Sequence, residues 1–199
     1  MIPMIDPKNI TNYNSTISEL ETHILFWVFA AGHNALSTAK GLEKFLTSVR
    51  EAAKPFIFYH SPFGTIYVVG KFIGWNSISE LLRNSGLGCW RRKTRTIKEL
   101  AESSLDLKTC SISDLMAIYG IGPKTASCFI LHTRKGVRMA GLDTHILKFL
   151  RDKGIDVPKS TPTGKKYEIL EKEFLRLCDE AGKTPAEYDL MIWKQYAKY

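Results

Sequence analysis

Lys124 and Asp143 stand nineteen positions apart and are of the types that do covalent and electrostatic chemistry. A lysine amine becomes a nucleophile when its neutral form is made accessible, by partial desolvation or by neighbouring positive charge. Asp143 directly precedes the helix-like run Thr144 to Leu150, where an aspartate reads as an N-cap. The two roles are compatible, because an N-capping carboxylate is rigid and stays ionised. A second pair, Asp189 and Trp193, lies four apart and so shares one helix face. An ionised aspartate only accepts hydrogen bonds, and an indole offers a flat stacking plane. The same spacing also suits a core tryptophan beside a solvated aspartate.

These side chains need elements to hold them. Ser113 reads as the N-cap of a short helix through Leu115, Met116, Ile118 and Tyr119. Gly120-Ile121-Gly122 interrupts it, since glycine adopts the positive φ of a sharp reversal. Pro123 suits the first position of a second helix, continued by Thr125 to Leu131. The result is a helix-hairpin-helix whose bare N–H groups, with the positive end of the helix dipole, suit a phosphate. Gly120 and Gly122 are the cradle, and Lys124 sits on the phosphate-facing turn. A plain helical corner with a glycine cap has the same local pattern. Trp90 to Lys98 is the densest basic stretch, and Ile97, Leu100 and Ala101 give it an amphipathic period. Arg91, Arg92 and Lys93 are its phosphate candidates, although a charge run also describes an ordinary solvated face.

Gly-Ile-Gly-Pro-Lys-Thr-Ala at 120–126, followed by Leu-Asp-Thr-His at 142–145, resembles the helix-hairpin-helix Gly/Pro…Asp superfamily of DNA glycosylases, the group of endonuclease III and the 8-oxoguanine glycosylases. The resemblance implies that Lys124 is the Schiff-base nucleophile and Asp143 the catalytic aspartate. Tyr188-Asp189-Leu190-Met191-Ile192-Trp193 is similar to the C-terminal Asp-Leu-x-Ile-Trp of the type 2, archaeal-type 8-oxoguanine enzymes, as Gly88 to Lys93 loosely is to their basic helix. By that likeness Trp193 stacks on a flipped base and Asp189 faces its edge, where N1–H and the exocyclic amino group of guanine or 8-oxoguanine are donors. The likeness also implies a gap-filling polar residue, for which position nominates His33 or Asn34, and a monovalent cation held by carbonyls of Met116, Ile118 and Ile121. In one respect the chain departs from that family: its tail beyond the tryptophan ends in tyrosine, where the family ends in lysine.

The expected activity is removal of 8-oxoguanine from double-stranded DNA, with a β-elimination nick through a lysine Schiff base. The alternatives are a glycosylase for another purine or an oxidised pyrimidine lesion, and a non-catalytic DNA-binding module. No iron–sulfur cluster is expected, since only Cys178 follows Asp143 and the four cysteines lack metal or disulfide spacing. A net charge of +8 favours a polyanionic partner. The start of the chain lacks the basic and apolar pattern of a secretory leader, and Ile24 to Ala31 is too short to cross a bilayer. An intracellular monomer in the cytoplasm or nucleoid, with reduced thiols, is the expectation.

The rest of the chain reads as helices. Thr16-Ile17-Ser18-Glu19 and Thr184-Pro185-Ala186-Glu187 are capping boxes. Residues 54–75 are ambiguous: Thr65 to Val69 has strand-like composition, and a broken helix fits equally. The fold expected is all-α with two helical lobes and DNA in the cleft between them, 30–134 forming one lobe and 1–29 with 135–199 the other.

Overall fold

In a computed structural model of the chain, which describes residues 4–56 and 61–197, every regular element is helical. In order these are α1 (Ile17–Ala30), α2 (Ala35–Ala53), α3 (Pro62–Phe72), α4 (Trp75–Asn84), α5 (Trp90–Glu102), α6 (Ile112–Met116), α7 (Pro123–Thr133), α8 (Thr144–Asp152), α9 (Gly164–Glu180) and α10 (Pro185–Tyr196). The capping boxes define their starts. Thr16 accepts from Glu19 N–H while Glu19 accepts from Thr16 N–H, and Thr184 and Glu187 repeat the exchange. At α6 the cap is Ser111 rather than Ser113. Asp114 lies three residues after Ser111 and returns a carboxylate to its N–H at 2.8 Å, which places Ser113 inside the helix.

The ambiguous segment is a helix where it is described. Ser61 caps α3 by accepting from Gly64 N–H, and Pro62 occupies its first turn. Its β-branched residues Ile66 and Val69, three apart, are buried together, so core contacts override strand propensity. The indole of Trp75 lies so close to Gly70 that a side chain there would collide with it. Residues 57–60 of this stretch lie outside the described residues.

The chain divides into two units. The first is built on Asn14–Ile121. Its interior includes Leu25, Phe29, Leu42, Phe45, Ile66, Ile78, Leu82 and Ile97, with Phe29 edge-on to Phe45 at 5.8 Å. Helix α1 therefore belongs with α2, α3 and α5, not with the C-terminal helices as the sequence pattern led us to expect. The reason is its apolar excess: Leu20, Ile24, Leu25, Phe26, Val28 and Phe29 are all buried, nearly all round the helix, and such a helix packs inside a bundle.

The second unit is built on Gly122–Tyr199 together with Lys8–Tyr13. Its core joins Leu142, Ile146, Leu147 and Leu150 to Tyr167, Leu170 and Phe174 of α9 and to Tyr188 and Ile192 of α10. The boundary thus falls inside the hairpin, at Ile121–Gly122, rather than at residue 134. The polar N-terminal stretch contributes to this unit. Ile10 is buried, and Asn12 N–H donates to His132 carbonyl at 2.9 Å. No described helix is long and apolar enough to cross a membrane.

Candidate active site

Helix α7 begins as glycine and proline dictate. Gly120 has φ +82°, Gly122 is the N-cap, and Pro123 fills the first position. Lys124 follows on the first turn, and Cys128 and His132 repeat its position at intervals of four, so the three share one stripe of α7. Asp143 caps α8, accepting from His145 and Ile146 N–H at 2.8 and 2.9 Å. Asp189 projects from the middle of α10, buried to 8% exposure.

All three charged groups lie in the second unit and feel one another. Burial alone would lower the Lys124 ammonium; the fields of the Cys128 sulfur, Asp143 and Asp189, in that order, outweigh it and raise it. Burial raises the Asp143 carboxyl, and Asp189 reinforces the rise against the pull of Lys124 and of the Ile146 N–H. Burial raises the Cys128 thiol against the pull of Lys124. The arrangement is an ammonium flanked by two carboxylates, one of which accepts a proton more readily than an ordinary aspartate.

The segment that delivers Asp143 is clamped from behind. Tyr167 Oη donates to Ala140 carbonyl at 2.5 Å and accepts from Leu142 N–H at 3.4 Å. Glu171 accepts from Ala140 N–H at 2.9 Å. Gly141 rests on Cys128, and a Cβ there would collide with the sulfur. Nothing in the local spacing announces Tyr167 or Glu171 as partners of a segment some thirty residues away.

Trp193, half-buried one turn beyond Asp189, stands edge-on to His145 with centroids 6.5 Å apart. Asp189 is not the solvated side chain of the bland reading. Its Oδ2 pairs with His132 Nε2 at 3.2 Å, and His132 Nδ1 meets the Thr11 hydroxyl at 2.8 Å. Sequence reasoning missed His132 and Thr11 altogether. The interval of eight from Lys124 was the available signal for His132; no pattern pointed to Thr11.

The other predicted residues lie in the first unit, apart from Gly122. Gly120 rests against Thr96 Oγ1, with Arg92 beside it. Tyr119 N–H donates to Glu99 at 2.7 Å, and Arg95 covers the Tyr119 ring at 3.8 Å, so α5 supports the hairpin's first half. Arg91 and Arg92 are exposed on α5. Lys93 is not: it is buried, and its Nζ donates to the Phe29 carbonyl at 3.0 Å near the C-terminal end of α1. Burial lowers its pKa to about 8. Lys93 shares the inward stripe of Ile97 and Leu100, which removes it from the phosphate candidates. Asn34 caps α2 by accepting from Ser37 N–H at 3.1 Å, while His33 is exposed with its ring over Gly88. The Ile118 carbonyl of the suggested cation site accepts from Ile121 N–H at 3.2 Å. Among the described residues, no cluster of three or more His, Cys, Asp or Glu is placed to hold a metal.

With this geometry in hand, comparison with known proteins is informative. Residues 87–183 match the family model described as 8-oxoguanine DNA glycosylase. Two curated relatives are named 8-oxoguanine DNA glycosylase/AP lyase. The one from Thermotoga sp. (strain RQ2) is 35% identical over 77 residues, and that from Thermotoga maritima 34% identical over 77. Each match covers 37% of this chain and 36% of the relative, so it spans about a third of their length. The crystal structure of the Thermotoga maritima 8-oxoguanine DNA glycosylase superposes with a TM-score of 0.65 at 22% identity, covering 95% of this chain and 86% of that one. The Methanocaldococcus jannaschii 8-oxoguanine glycosylase/lyase, solved with a 15mer DNA containing 8-oxoguanine, gives 0.65 at 19% identity, covering 96% and 89%. At these identities the two structures establish a shared fold.

Proposed function

We propose, from the match of residues 87–183 to the family model described as 8-oxoguanine DNA glycosylase, that this chain excises 8-oxoguanine from double-stranded DNA and then nicks the strand. The observation that carries the reading is that Lys124, on the helix opened by the glycine hairpin, lies within the fields of Asp143 and Asp189 of the same unit. A simple binding module needs the hairpin but not a lysine set between two carboxylates.

The chemistry follows from the charges. Lys124 rests as an ammonium and passes a proton to Asp143, whose raised pKa makes it the readier acceptor. The freed amine pair forms a bond to C1′ as the bond from C1′ to the base breaks; the base leaves with that electron pair and takes up a proton. The sugar ring then opens, and the imine forms at C1′. Loss of a C2′ proton expels the 3′ phosphate, which is the β-elimination nick. The proton taken up by the departing base is the one Asp143 received, which returns Asp143 to a carboxylate that stabilises the positive charge on the sugar, fixed by two N–H bonds so that no reorganisation is needed. Trp193 supplies the stacking plane and Asp189 the acceptor edge for the flipped base.

Phosphates belong to Gly120, Gly122, Arg91 and Arg92, the first-turn N–H groups of α7 having no partners within the helix. The carbonyls of Met116, Ile118 and Ile121 would hold a monovalent cation; Ile118 has one lone pair engaged by Ile121 N–H and a second available. His33 is the proposed gap-filler, since Asn34 is occupied as a cap. A DNA substrate supports a place inside the cell, and one chain carrying every residue named supports action as a monomer. How the tail closes the pocket concerns residues 198 and 199, which lie outside the described residues.

Borohydride trapping on an 8-oxoguanine duplex tests the reading. The parent chain is expected to form a covalent complex, Lys124→Gln none, and Asp143→Asn to turn over severely more slowly. A parent chain that binds duplex with steep salt dependence yet never traps on any lesion would make it a binding module. Trapping that survives Lys124→Gln would move the nucleophile elsewhere.

A further inference from the structure

A carboxylate reads a base edge only if it is held in one rotamer and kept ionised. Asp189 is buried on α10, among other negative charge, and its own helix offers no donor to its side chain in the bonds described. The donor comes from α7. His132 is fully buried, with Nε2 3.2 Å from Asp189 Oδ2 and Nδ1 2.8 Å from Thr11 Oγ1. An ionised carboxylate cannot donate, so Nε2 carries the proton and Nδ1 accepts from the Thr11 hydroxyl. Thr11 is in turn fixed by its neighbour, whose backbone N–H (Asn12) donates to the His132 carbonyl at 2.9 Å. The N-terminal stretch thus grips His132 by side chain and backbone together.

We infer that His132 is a specificity-determining positioning residue: seated by Thr11, it holds one oxygen of Asp189 so that the other faces the base. The inference rests on the reading of Asp189 as the base-edge acceptor. It commits to a chemical preference, for purines that present N1–H and an exocyclic amino donor together. An 8-oxoadenine base presents a lone pair at N1 instead, which the fixed carboxylate repels. Without His132, Asp189 can turn away, and the repulsion of that lone pair is lost.

The test compares single-turnover base release from 8-oxoguanine and 8-oxoadenine duplexes, with trapping of the parent on 8-oxoguanine as the control for the parent reading. His132→Asn retains a group near Thr11 but cannot reach Asp189; His132→Gln places an amide N–H close to the Nε2 position. We expect His132→Asn to lower the preference for 8-oxoguanine over 8-oxoadenine roughly tenfold, the scale of a hydrogen bond to a charged group. His132→Gln should restore most of it, and Asp189→Asn should lower it at least as far. The double variant His132→Asn/Asp189→Asn should be no less selective than Asp189→Asn alone, because both act through one contact. Thr11→Val, at a half-exposed site, should give a smaller fall in the same direction and serves if His132→Asn does not fold.

A parent that fails to trap on 8-oxoguanine overturns the proposed 8-oxoguanine activity on which the inference rests. If the parent traps and Asp189→Asn loses selectivity while His132→Asn and Thr11→Val keep it, His132 is not the positioning residue. Equal losses in His132→Asn and His132→Gln, with unchanged preference between the bases, would make the ring a packing element and equally overturn the inference.

Discussion

An amine must shed a proton before it can attack carbon, and here the surroundings decide where that proton goes. The Lys124 ammonium is held up by the carboxylates around it, and the Asp143 carboxyl is raised by burial and by Asp189. Asp143 must be ionised to take the proton, so activity falls as pH drops through a pKa above the usual aspartate range. Asp189→Asn removes a negative neighbour that helps raise it, so the acid limb of the single-turnover pH profile should move to lower pH. An acid limb that does not move would mean that Asp189 lies outside the field of Asp143. Steric fit gives a second prediction. Gly141→Ala would drive a methyl into Cys128, an overpacking cost of about 1–3 kcal/mol, and should displace Asp143 with it. Cys128→Ala on the same chain should restore both melting temperature and rate. The motif residues were legible because their types are rare in that order. Thr11 and His132 were not, because a hydrogen bond across 121 residues leaves no local trace.

Among the helices, those with chemical punctuation were readable and those defined by packing were not. Thr16, Thr184 and Asp143 each announce a helix start through a bond made within three residues, and Pro123 does so by filling a first-turn position that needs no N–H. Helix α3 carries strand-favouring residues, and only its burial against the rest of the first unit decides its state. Helix α5 misled in another way: a basic run hides one inward-facing member. Lys93, its pKa lowered to about 8 from an ordinary 10.5, binds fewer protons folded than unfolded across that interval. Its contribution to stability therefore rises with pH between about 8 and 10.5. Lys93→Met should cancel that rise, so the difference in unfolding free energy between parent and variant should grow in the parent's favour across that window. A flat difference would place the amine in water. Removing a cap has a smaller, pH-independent effect: Thr184→Ala should cost about 1 kcal/mol, read as a lower melting temperature.

For the chain as a whole, the charge of +8 matters through its placement. Each phosphate neutralised steepens the log–log dependence of affinity on salt by roughly 0.9. Arg92→Ala should flatten the slope measured on undamaged duplex by about that amount, and Lys93→Met should leave it unchanged. Equal effects would return Lys93 to the phosphate surface. The all-α class was evident from periodicity, but the partition into units was not. It follows contacts rather than sequence continuity: the chain leaves one unit for six residues, Lys8–Tyr13, and comes back to the other only at Gly122. That detour has a kinetic corollary. On a ribosome, Thr11 is made long before its seat on His132, which does not exist until more than a hundred further residues have been synthesised. A stretch made before the helix it grips is thus among the last to settle, and loop closure of that span, slow relative to helix formation, should set the final step in assembling the unit that holds the nucleophile.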